Sequence, residues 1–420
     1  MHTSSNDERV ALTKDPANSR RCVAIVSPFL DKRHGTERAV IECISRLAGK
    51  YEVHLYSQRV EDVDLAQIRW HRIPKLPGPH LVNFLWWFAA NHIWRWWNRR
   101  FSGVVPDIVF SPGVNCLDAD VVSVHIVFAT FIRQVRSELA LGRTSPWFWP
   151  RLLHRRLYYR LVERLEGHVY GRPQLALAAV SRRVADELAR SYGHKDRISV
   201  IYHAFDPQQF SPQRRASLRA EARSFLGLDA GEFALLLIAN DWKNKGLPCL
   251  IEAAGMVHEP GLRLFVVGGD DPVAFRSAIA HRGLSGQVCF LPPRPDVEFY
   301  YAAADAYVGP SLEDAFALPP AEAMACGLPV IISRNMGVSE IITHGHDGLI
   351  LEDPRDSATL AGLIRQLMAY PELCSQLSQK AALTTRSYTW ERNAQEIRDL
   401  IEQVHVQKKT QEKLRPREAS

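Results

Sequence analysis

The chain has 420 residues, a formal net charge of +6 and a pI of about 8.9, and it is long enough for two α/β domains with separate cores. Its seven cysteines are scattered and form no close pair, which argues against a zinc site or a disulfide framework and predicts a reduced, cytoplasmic protein. No apolar run reaches the roughly 18 to 20 residues that span a bilayer, and the mild positive charge suits phosphate ligands, anionic lipid or nucleic acid without choosing among them.

The first elements predict an α/β domain. Residues 1–20 are polar and predict a disordered lead, and a buried strand follows over 21–27. A helix then begins near Thr36, where apolar residues start to recur at helical spacing. Gly35 lies in the loop between them, and alone it is compatible with a plain turn. The loop lacks the three-glycine fingerprint of a dinucleotide site, so an NAD site is not expected.

A tryptophan-rich helix is predicted over Leu81 to Phe101. Helical spacing puts Trp86, Ala90, Trp94, Trp97 and Phe101 on one face, and Asn91, Arg95, Asn98 and Arg99 on another. Tryptophan prefers bilayer interfaces and basic residues prefer anionic headgroups. The segment Trp86–Phe101 is therefore a candidate membrane-docking element, and the alternative is a helix packed into its own domain or a dimer interface.

His125 ends a buried strand predicted over 119–126. Ligands of open α/β sheets bind at the carboxyl edge, where this histidine is expected. A histidine in such a place also serves as ordinary core or turn polarity, so both roles stay open on the residue alone. The basic helix over 151–166 presents either a solvated cationic face or a site that collects an anionic acceptor.

The second half restarts the alternation of strands and helices after a crossover at 198–207. The loop from Asn240 to Gly246 follows a buried strand, and Lys245 within it could offset a diphosphate as a point charge. Surface lysines are common in loops, so this position alone decides little.

The sequence over 310–330 predicts a loop, a short helix and a buried strand. The helix carries proline in its first turn and Gly327 at its end. Phe316, Ala317 and Leu318 would present backbone N–H groups at the helix start, which favours phosphate. Asp314 and Glu322 flank them, and carboxylates accept hydrogen bonds from hydroxyls. A nucleotide sugar fits this pattern, and an acidic helix N-terminus favoured by the helix dipole is the alternative.

Asp314 and Glu322 enclose seven residues, and this stretch resembles the acidic signature of family 4 retaining glycosyltransferases of the GT-B fold. That family usually has glutamate at both ends, and here aspartate stands at the first. The resemblance implies that Asp314 contacts the donor sugar and Glu322 the ribose hydroxyls. It also implies that Lys245 holds the diphosphate. Asn240 stands where the family has an arginine, and Lys243 is the candidate substitute.

The same resemblance implies further roles in the site. The loop at Gly35 would touch the donor phosphates or the acceptor, and Arg294 would lie near the nucleobase. His125 would hydrogen-bond a hydroxyl of the transferred sugar. The resemblance covers nearly all of residues 21–405, densely in the second half and thinly in the first.

The predicted fold is α/β, with two Rossmann-like domains facing a cleft and a C-terminal helix crossing back to the first domain. The predicted ranges are 1–20 for the lead, 21–205 for the acceptor-side domain, 206–388 for the donor domain, 389–406 for the crossover helix and 407–420 for a loose tail.

The predicted activity moves a hexose-type sugar from a UDP- or GDP-sugar to a hydroxyl of a glycan or glycolipid, with retention. Lipopolysaccharide-core and exopolysaccharide acceptors suit the basic first domain. No cofactor, metal ion or nucleic acid is expected, since no Asp-x-Asp motif lies in a suitable loop. A cytoplasmic enzyme is expected, with attachment to the inner face of the membrane as an open extension. A sugar-nucleotide epimerase and a non-catalytic scaffold of the same fold remain as alternatives.

Overall fold

The computed structural model describes residues 20–31, 35–61, 63–135, 147, 149–193 and 195–414. Most of the predicted lead and the last six residues of the predicted tail lie outside these ranges. Two parallel sheets organise the described chain, one in each half. Helices cover both faces of each sheet, as parallel strands require.

The N-terminal half begins with alternating strands and helices. Its strands are β1 (Cys22–Val26), β2 (Phe29–Leu30), β3 (Glu52–Ser57), β4 (Arg59–Val60), β5 (Ile68–Arg72), β6 (Ile108–Pro112), β7 (Val121–Val124), β8 (Ala176–Ala179) and β9 (Ile198–Val200). Its helices are α1 (Gly35–Leu47), α2 (His80–Phe101), α3 (Phe128–Gln134), α4 (Trp149–Tyr170) and α5 (Arg182–Tyr192). Seven strands form the sheet in the order β5-β3-β1-β6-β7-β8-β9, while β2 and β4 pair separately.

The C-terminal half repeats the plan with a smaller sheet. Its strands are β10 (Phe233–Ile238), β11 (Leu262–Val267), β12 (Val288–Leu291), β13 (Ala306–Gly309), β14 (Val330–Ser333) and β15 (Leu349–Leu351). Its helices are α6 (Pro212–Phe225), α7 (Leu247–Val257), α8 (Val273–His281), α9 (Glu298–Ala303), α10 (Leu318–Ala325), α11 (Ser357–Ala369), α12 (Pro371–Thr385) and α13 (Trp390–Leu414). The order β12-β11-β10-β13-β14-β15 puts β10 and β13 at the centre.

The two halves meet at the carboxyl edges of their sheets. The start of α1, which follows β1, lies against the start of α10, which follows β13: a Cβ added to Gly35 would be 3.2 Å from Leu318 Cδ1. The start of α5, which follows β8, meets the segment after β14, where a Cβ on Gly337 would be 2.8 Å from Ser181 Cβ. Loops from both sheets therefore share one interdomain region, as the predicted cleft requires.

Two chain segments connect the halves side by side. The crossover after β9 carries Phe205, which forms a parallel β-bridge with Thr389 just before α13. The Phe205 N–H donates to the Tyr388 carbonyl oxygen at 3.4 Å. Outgoing and returning chains are thus hydrogen-bonded to each other.

Helix α13 returns to the first domain, but its predicted end was wrong. It continues to Leu414, through part of the segment expected to be a loose tail. The physical reason is that the charged residues there have partners. Lys408 Nζ lies 3.0 Å from Asp120 Oδ2 and also donates to the Asp107 carbonyl oxygen at 3.1 Å.

The structure shows which side of α2 packs against the domain. Asn91 and Arg95, which share one of the two faces named from the sequence, are buried, and so is Trp87. Arg95 points inward because Asp118 accepts two hydrogen bonds from its guanidinium, each 2.7 Å long. Trp97 is exposed although Ala90, assigned to the same face, is buried. The helix is therefore packed against its domain on one side and open to solvent on the other.

Candidate functional site

The loop and helix predicted over 310–330 form as expected, between β13 and β14. The loop is fixed by backbone hydrogen bonds: the Asp314 N–H donates to the Asn335 carbonyl at 3.1 Å, and the Val338 N–H donates to the Phe316 carbonyl at 2.8 Å. Ala317, next to the first residue of α10, has a φ of 72°, a strained value for a residue with a side chain. Of the three N–H groups expected to be free, that of Phe316 donates to Asp314 Oδ1 at 3.3 Å, whereas within the described part of the chain those of Ala317 and Leu318 donate no hydrogen bond. The start of α10 can therefore receive an anion.

Glu322 lies on α10 with its side chain only 5% exposed. One carboxylate oxygen is 2.8 Å from Arg38 Nη1, and the other accepts a hydrogen bond from the Tyr301 hydroxyl at 2.9 Å. Arg38 belongs to α1, so the pair joins the two domains. A carboxylate offers about four lone-pair positions, and these two contacts leave two for other donors.

Asp314 and Lys245 form an ion pair between two loops of the C-terminal domain, the loop after β13 and the loop after β10. The loops lie close because Gly246 has a φ of +80° and no side chain; a Cβ there would be 1.9 Å from the Pro310 carbonyl oxygen. The Leu312 N–H also donates to the Asn244 carbonyl at 2.8 Å. Asp314 and Lys245, which were predicted as site residues from distant segments of the sequence, are therefore in contact near the N-terminus of α10.

The start of α1 adds a second helix N-terminus beside the first. Gly35 begins α1 and packs against Leu318, the first residue of α10. Each helix carries partial positive charge at its N-terminus. Arg38 on α1 and Lys245 on the loop after β10 lie nearby, each paired with a carboxylate, so the two helix N-termini supply the positive potential that is not offset.

His125 connects to this region through a residue that the sequence did not single out. Its ring stacks on His203, with centroids 5.0 Å apart, and the His203 ring meets Phe316 edge-on at 5.4 Å. Burial lowers the pKa of His203 to about 4 and holds the pKa of His125 well below its usual value, and the neighbouring His203 lowers the latter further. Both imidazoles are therefore neutral at pH 7 and can accept or donate one hydrogen bond at each nitrogen.

Two predicted donor contacts are not joined to this group. Arg294 makes two hydrogen bonds to Asp296, of 2.9 and 2.7 Å, and lies 4.4 Å above the Phe299 ring. Lys243 is exposed on its loop and pairs with no residue that the structure describes. The structure brings together Gly35, Lys245, Asp314, Phe316, Ala317, Leu318 and Glu322, and it links His125 to them through His203.

Glu340 is another residue that the sequence did not single out. Its carboxylate accepts the N–H groups of Arg182 and Arg183, each at 2.8 Å, and the Tyr202 hydroxyl at 3.0 Å. Ser181 caps the same helix by accepting the Val184 N–H at 3.2 Å. A carboxylate of one domain thus completes the helix N-terminus of the other.

Among the described residues, no group of three or more histidine, cysteine, aspartate or glutamate side chains could hold a metal ion. In the same part of the chain, none of the helices combines the length and the apolar character that crossing a membrane requires.

Two family models match the chain in succession. Residues 33–209 match the model described as "Glycosyltransferase Family 4", and residues 219–384 match "Glycosyl transferases group 1". A curated D-inositol 3-phosphate glycosyltransferase of Pseudarthrobacter chlorophenolicus is 32% identical over 228 residues, which are 52% of this chain and 53% of that protein. One from Xylanimonas cellulosilytica is 31% identical over 57% of this chain and 60% of its own length. The chain spans about half the length of the curated relatives it matches.

Solved structures share the fold over nearly the whole chain. WaaG, a glycosyltransferase involved in lipopolysaccharide biosynthesis, aligns with a TM-score of 0.72 at 21% identity, covering 89% of this chain and 98% of its own. Sucrose-phosphate synthase from Thermosynechococcus elongatus aligns at 0.73 with 18% identity, over 92% and 100%. The Anabaena protein HepE in complex with UDP-glucose aligns at 0.68 with 18% identity, over 91% and 99%. The TM-scores show that this chain and these proteins have a common fold.

Proposed function

The chain belongs to the GT-B glycosyltransferases, with a family 4 domain followed by a group 1 domain, and we propose that it is a retaining hexosyltransferase. Its donor is a nucleotide diphosphate sugar, a UDP- or GDP-sugar, and its acceptor is a hydroxyl of a glycan or glycolipid. Lipopolysaccharide or exopolysaccharide synthesis is the setting we propose for this transfer.

One observation carries the proposal: ion pairs and two helix N-termini converge at the start of α10. Glu322 keeps two lone-pair positions beyond those used by Arg38 and Tyr301, and two adjacent ribose hydroxyls would occupy them. The donor diphosphate would lie between the start of α10 and Lys245. Positive charge and N–H groups there stabilise the negative charge that develops on the leaving diphosphate.

In the proposed site, His125 binds the sugar of the donor. A neutral imidazole, kept so by the lowered pKa, donates a hydrogen bond to a sugar hydroxyl without adding charge. Asp314 would accept from another hydroxyl of the same sugar while its second oxygen stays on Lys245. Donor and acceptor held across the interdomain region gain the orientation advantage of a bound pair.

The relatives narrow the substrates to be tried first. HepE was crystallised with UDP-glucose, so UDP-sugars are the first donors to test. The curated relatives are named for an inositol phosphate acceptor, so a phosphorylated polyol belongs in the acceptor panel beside glycolipids. Attachment to the inner face of a membrane is part of the proposal for a lipid acceptor.

A thermal-shift screen of UDP- and GDP-sugars, followed by turnover assays, tests the proposal. Glu322→Ala should lose the donor-induced shift, and Lys245→Ala should lower the rate about 10²- to 10³-fold, as loss of one charge-stabilising group does. Glu352→Ala, a carboxylate that is 72% exposed and paired with Arg334, is the matched control and should behave as wild type. Normal turnover by Glu322→Ala would remove the basis of the assignment.

Asp314 and Asn240 differ from the glutamate and the arginine that the family usually has at these positions. This difference favours a second candidate function, a non-catalytic binding protein with the same fold. It would bind a nucleotide sugar in the screen and neither hydrolyse nor transfer it with any acceptor. An epimerase would instead consume the donor with no acceptor present.

A further inference from the structure

One face of α2 exposes a continuous ridge of apolar side chains. The α2 ridge consists of Val82, Leu85, Ala89, Ile93, Trp96 and Trp97. These positions recur every three or four residues along the 16 residues from Val82 to Trp97 and end at two adjacent tryptophans. The large members each expose between 47% and 60% of their surface.

The composition of α2 sets this face apart from that of an ordinary surface helix. A helix that covers a globular core turns charged residues to solvent, yet the sequence of α2 contains no aspartate or glutamate. The charged Arg95 faces inward to Asp118, and Trp87 is buried in the core. The domain thus uses the opposite face of the helix for its own packing, and the ridge remains an exposed apolar patch.

Positive charge lies beside the ridge. Arg99 and Arg100 are exposed at its end, and α4 packs against the start of α2 through an edge contact between His80 and Tyr158, 4.6 Å apart. Helix α4 also exposes apolar side chains among arginines. These are Leu153 and Leu157, with Arg151, Arg155, Arg160 and Arg164.

We propose that the α2 ridge docks on the surface of a bilayer that contains anionic phospholipids. Tryptophan side chains lie at the boundary of headgroups and acyl chains, and arginines beside them pair with lipid phosphates. A second copy of the chain fits less well. A two-fold interface would bring the same patch of each copy together, so it would enclose the arginines of both copies with no acid on α2 to offset them.

The direction of α2 fixes how such docking would orient the protein. The helix runs from the carboxyl end of β5 to the amino end of β6, so its first turn is near the interdomain region and its tryptophans are at the far edge of the sheet. A bilayer along the ridge would lie beside the first domain and leave the interdomain opening free. A lipid-borne acceptor would then enter from the side.

Co-sedimentation of the full chain with vesicles tests the proposal without any nucleotide sugar, so its failure would leave the transferase proposal standing. Wild-type protein should bind vesicles of phosphatidylcholine with phosphatidylglycerol far better than pure phosphatidylcholine, and high salt should weaken binding. Trp96→Ser with Trp97→Ser should weaken it at least about tenfold, because two half-exposed indoles lose their apolar contact. Arg99→Gln with Arg100→Gln should reduce the preference for anionic vesicles, and the arginines of α4 should retain the remainder.

Tyr370→Ser is the matched control, because Tyr370 is 59% exposed on the other domain, and it should bind vesicles as wild type does. Thermal unfolding checks that each variant is folded, which exposed positions should allow. Equal vesicle binding by wild type and the tryptophan variant would overturn the proposal. So would a dimer in analytical ultracentrifugation that the tryptophan substitutions dissociate while vesicle binding is absent.

Discussion

Replacing Arg38 with methionine is the sharpest test of how the two domains are joined. Methionine keeps most of the length of the side chain and removes the charge, so Glu322 loses the partner on one of its oxygens. Tyr301 remains as its single described donor. The side chains of Arg38 and Glu322 are 19% and 5% exposed, so water can replace little of the lost contact.

The expected cost follows from that burial. Breaking a buried ion pair by removing one partner costs about 3 to 5 kcal/mol, because a charge stays buried without compensation. The partial exposure of Arg38 favours the lower end, about 3 kcal/mol. For a domain of 150 to 250 residues, each kcal/mol moves the Tm by about 2 to 4 °C, so Arg38→Met should lower it by about 6 to 12 °C.

Arg46→Met provides the matched control on the same helix. Arg46 Nη2 lies 2.8 Å from Glu391 of α13, a carboxylate that is 70% exposed. Exposed pairs of this kind contribute about 1 kcal/mol or less. Differential scanning calorimetry of both variants should therefore show a loss of Tm several times larger for Arg38→Met.

A second substitution separates lost charge pairing from lost packing. Adding Glu322→Gln to Arg38→Met removes the unpaired charge and keeps an acceptor for Tyr301, so about 2 kcal/mol of the lost stability should return. If Arg38→Met unfolds at the same temperature as Arg46→Met, the ion pair between Arg38 and Glu322 does not stabilise the contact between the domains.

Three further predictions concern other parts of the chain. Burial raises the pKa of Glu166 to about 7, so Glu166→Gln should change the free energy of unfolding in urea at pH 7 little. Glu166→Ala should cost about 1 to 3 kcal/mol, because the Phe128 N–H and the Tyr192 hydroxyl lose their acceptor. The pKa values of His71 and His203 are lowered by burial from 6.5 to about 4. The unfolded chain therefore binds protons more tightly, and the free energy of unfolding should fall as pH drops from 6.5 to 4, a slope that glutamine at both positions should reduce. Gly246→Ala should cost about 3 kcal/mol and weaken donor binding, because its Cβ would be 1.9 Å from a carbonyl oxygen at φ +80°. Gly269→Ala, with no atom within 4 Å, should unfold in urea as wild type does, and equal losses for the two glycines would contradict the steric explanation.

The sequence predicts those parts of the site that lie within one stretch of chain. The spacing of Asp314 and Glu322 and the proline at the helix start place α10 and its acidic neighbours correctly, because local propensity and capping decide such elements. Strand and helix alternation likewise predicts two α/β halves. Lys245 is found beside Asp314 because both loops follow neighbouring central strands of one parallel sheet.

Contacts between distant segments could not be predicted in the same way. The contact of Arg38 with Glu322 depends on how the two domains meet, which no local sequence pattern shows. The faces of α2 follow Asp118, which offers a partner to Arg95 from another part of the domain. Helical periodicity shows which residues share a face but not which partner another segment brings to it, so the burial of Arg95 could not be foreseen.

The bridge between Phe205 and Thr389 bears on how the protein could move. Two segments of chain pass between the domains at adjacent points and are hydrogen-bonded to each other, so they define one line about which the C-terminal domain could rotate. Rotation about that line would keep the bridge and would instead separate interdomain contacts that lie away from it, such as Arg38 with Glu322. His203, two residues before the pivot, would keep its place through such a swing, while groups farther from the axis would travel and set the width of the opening.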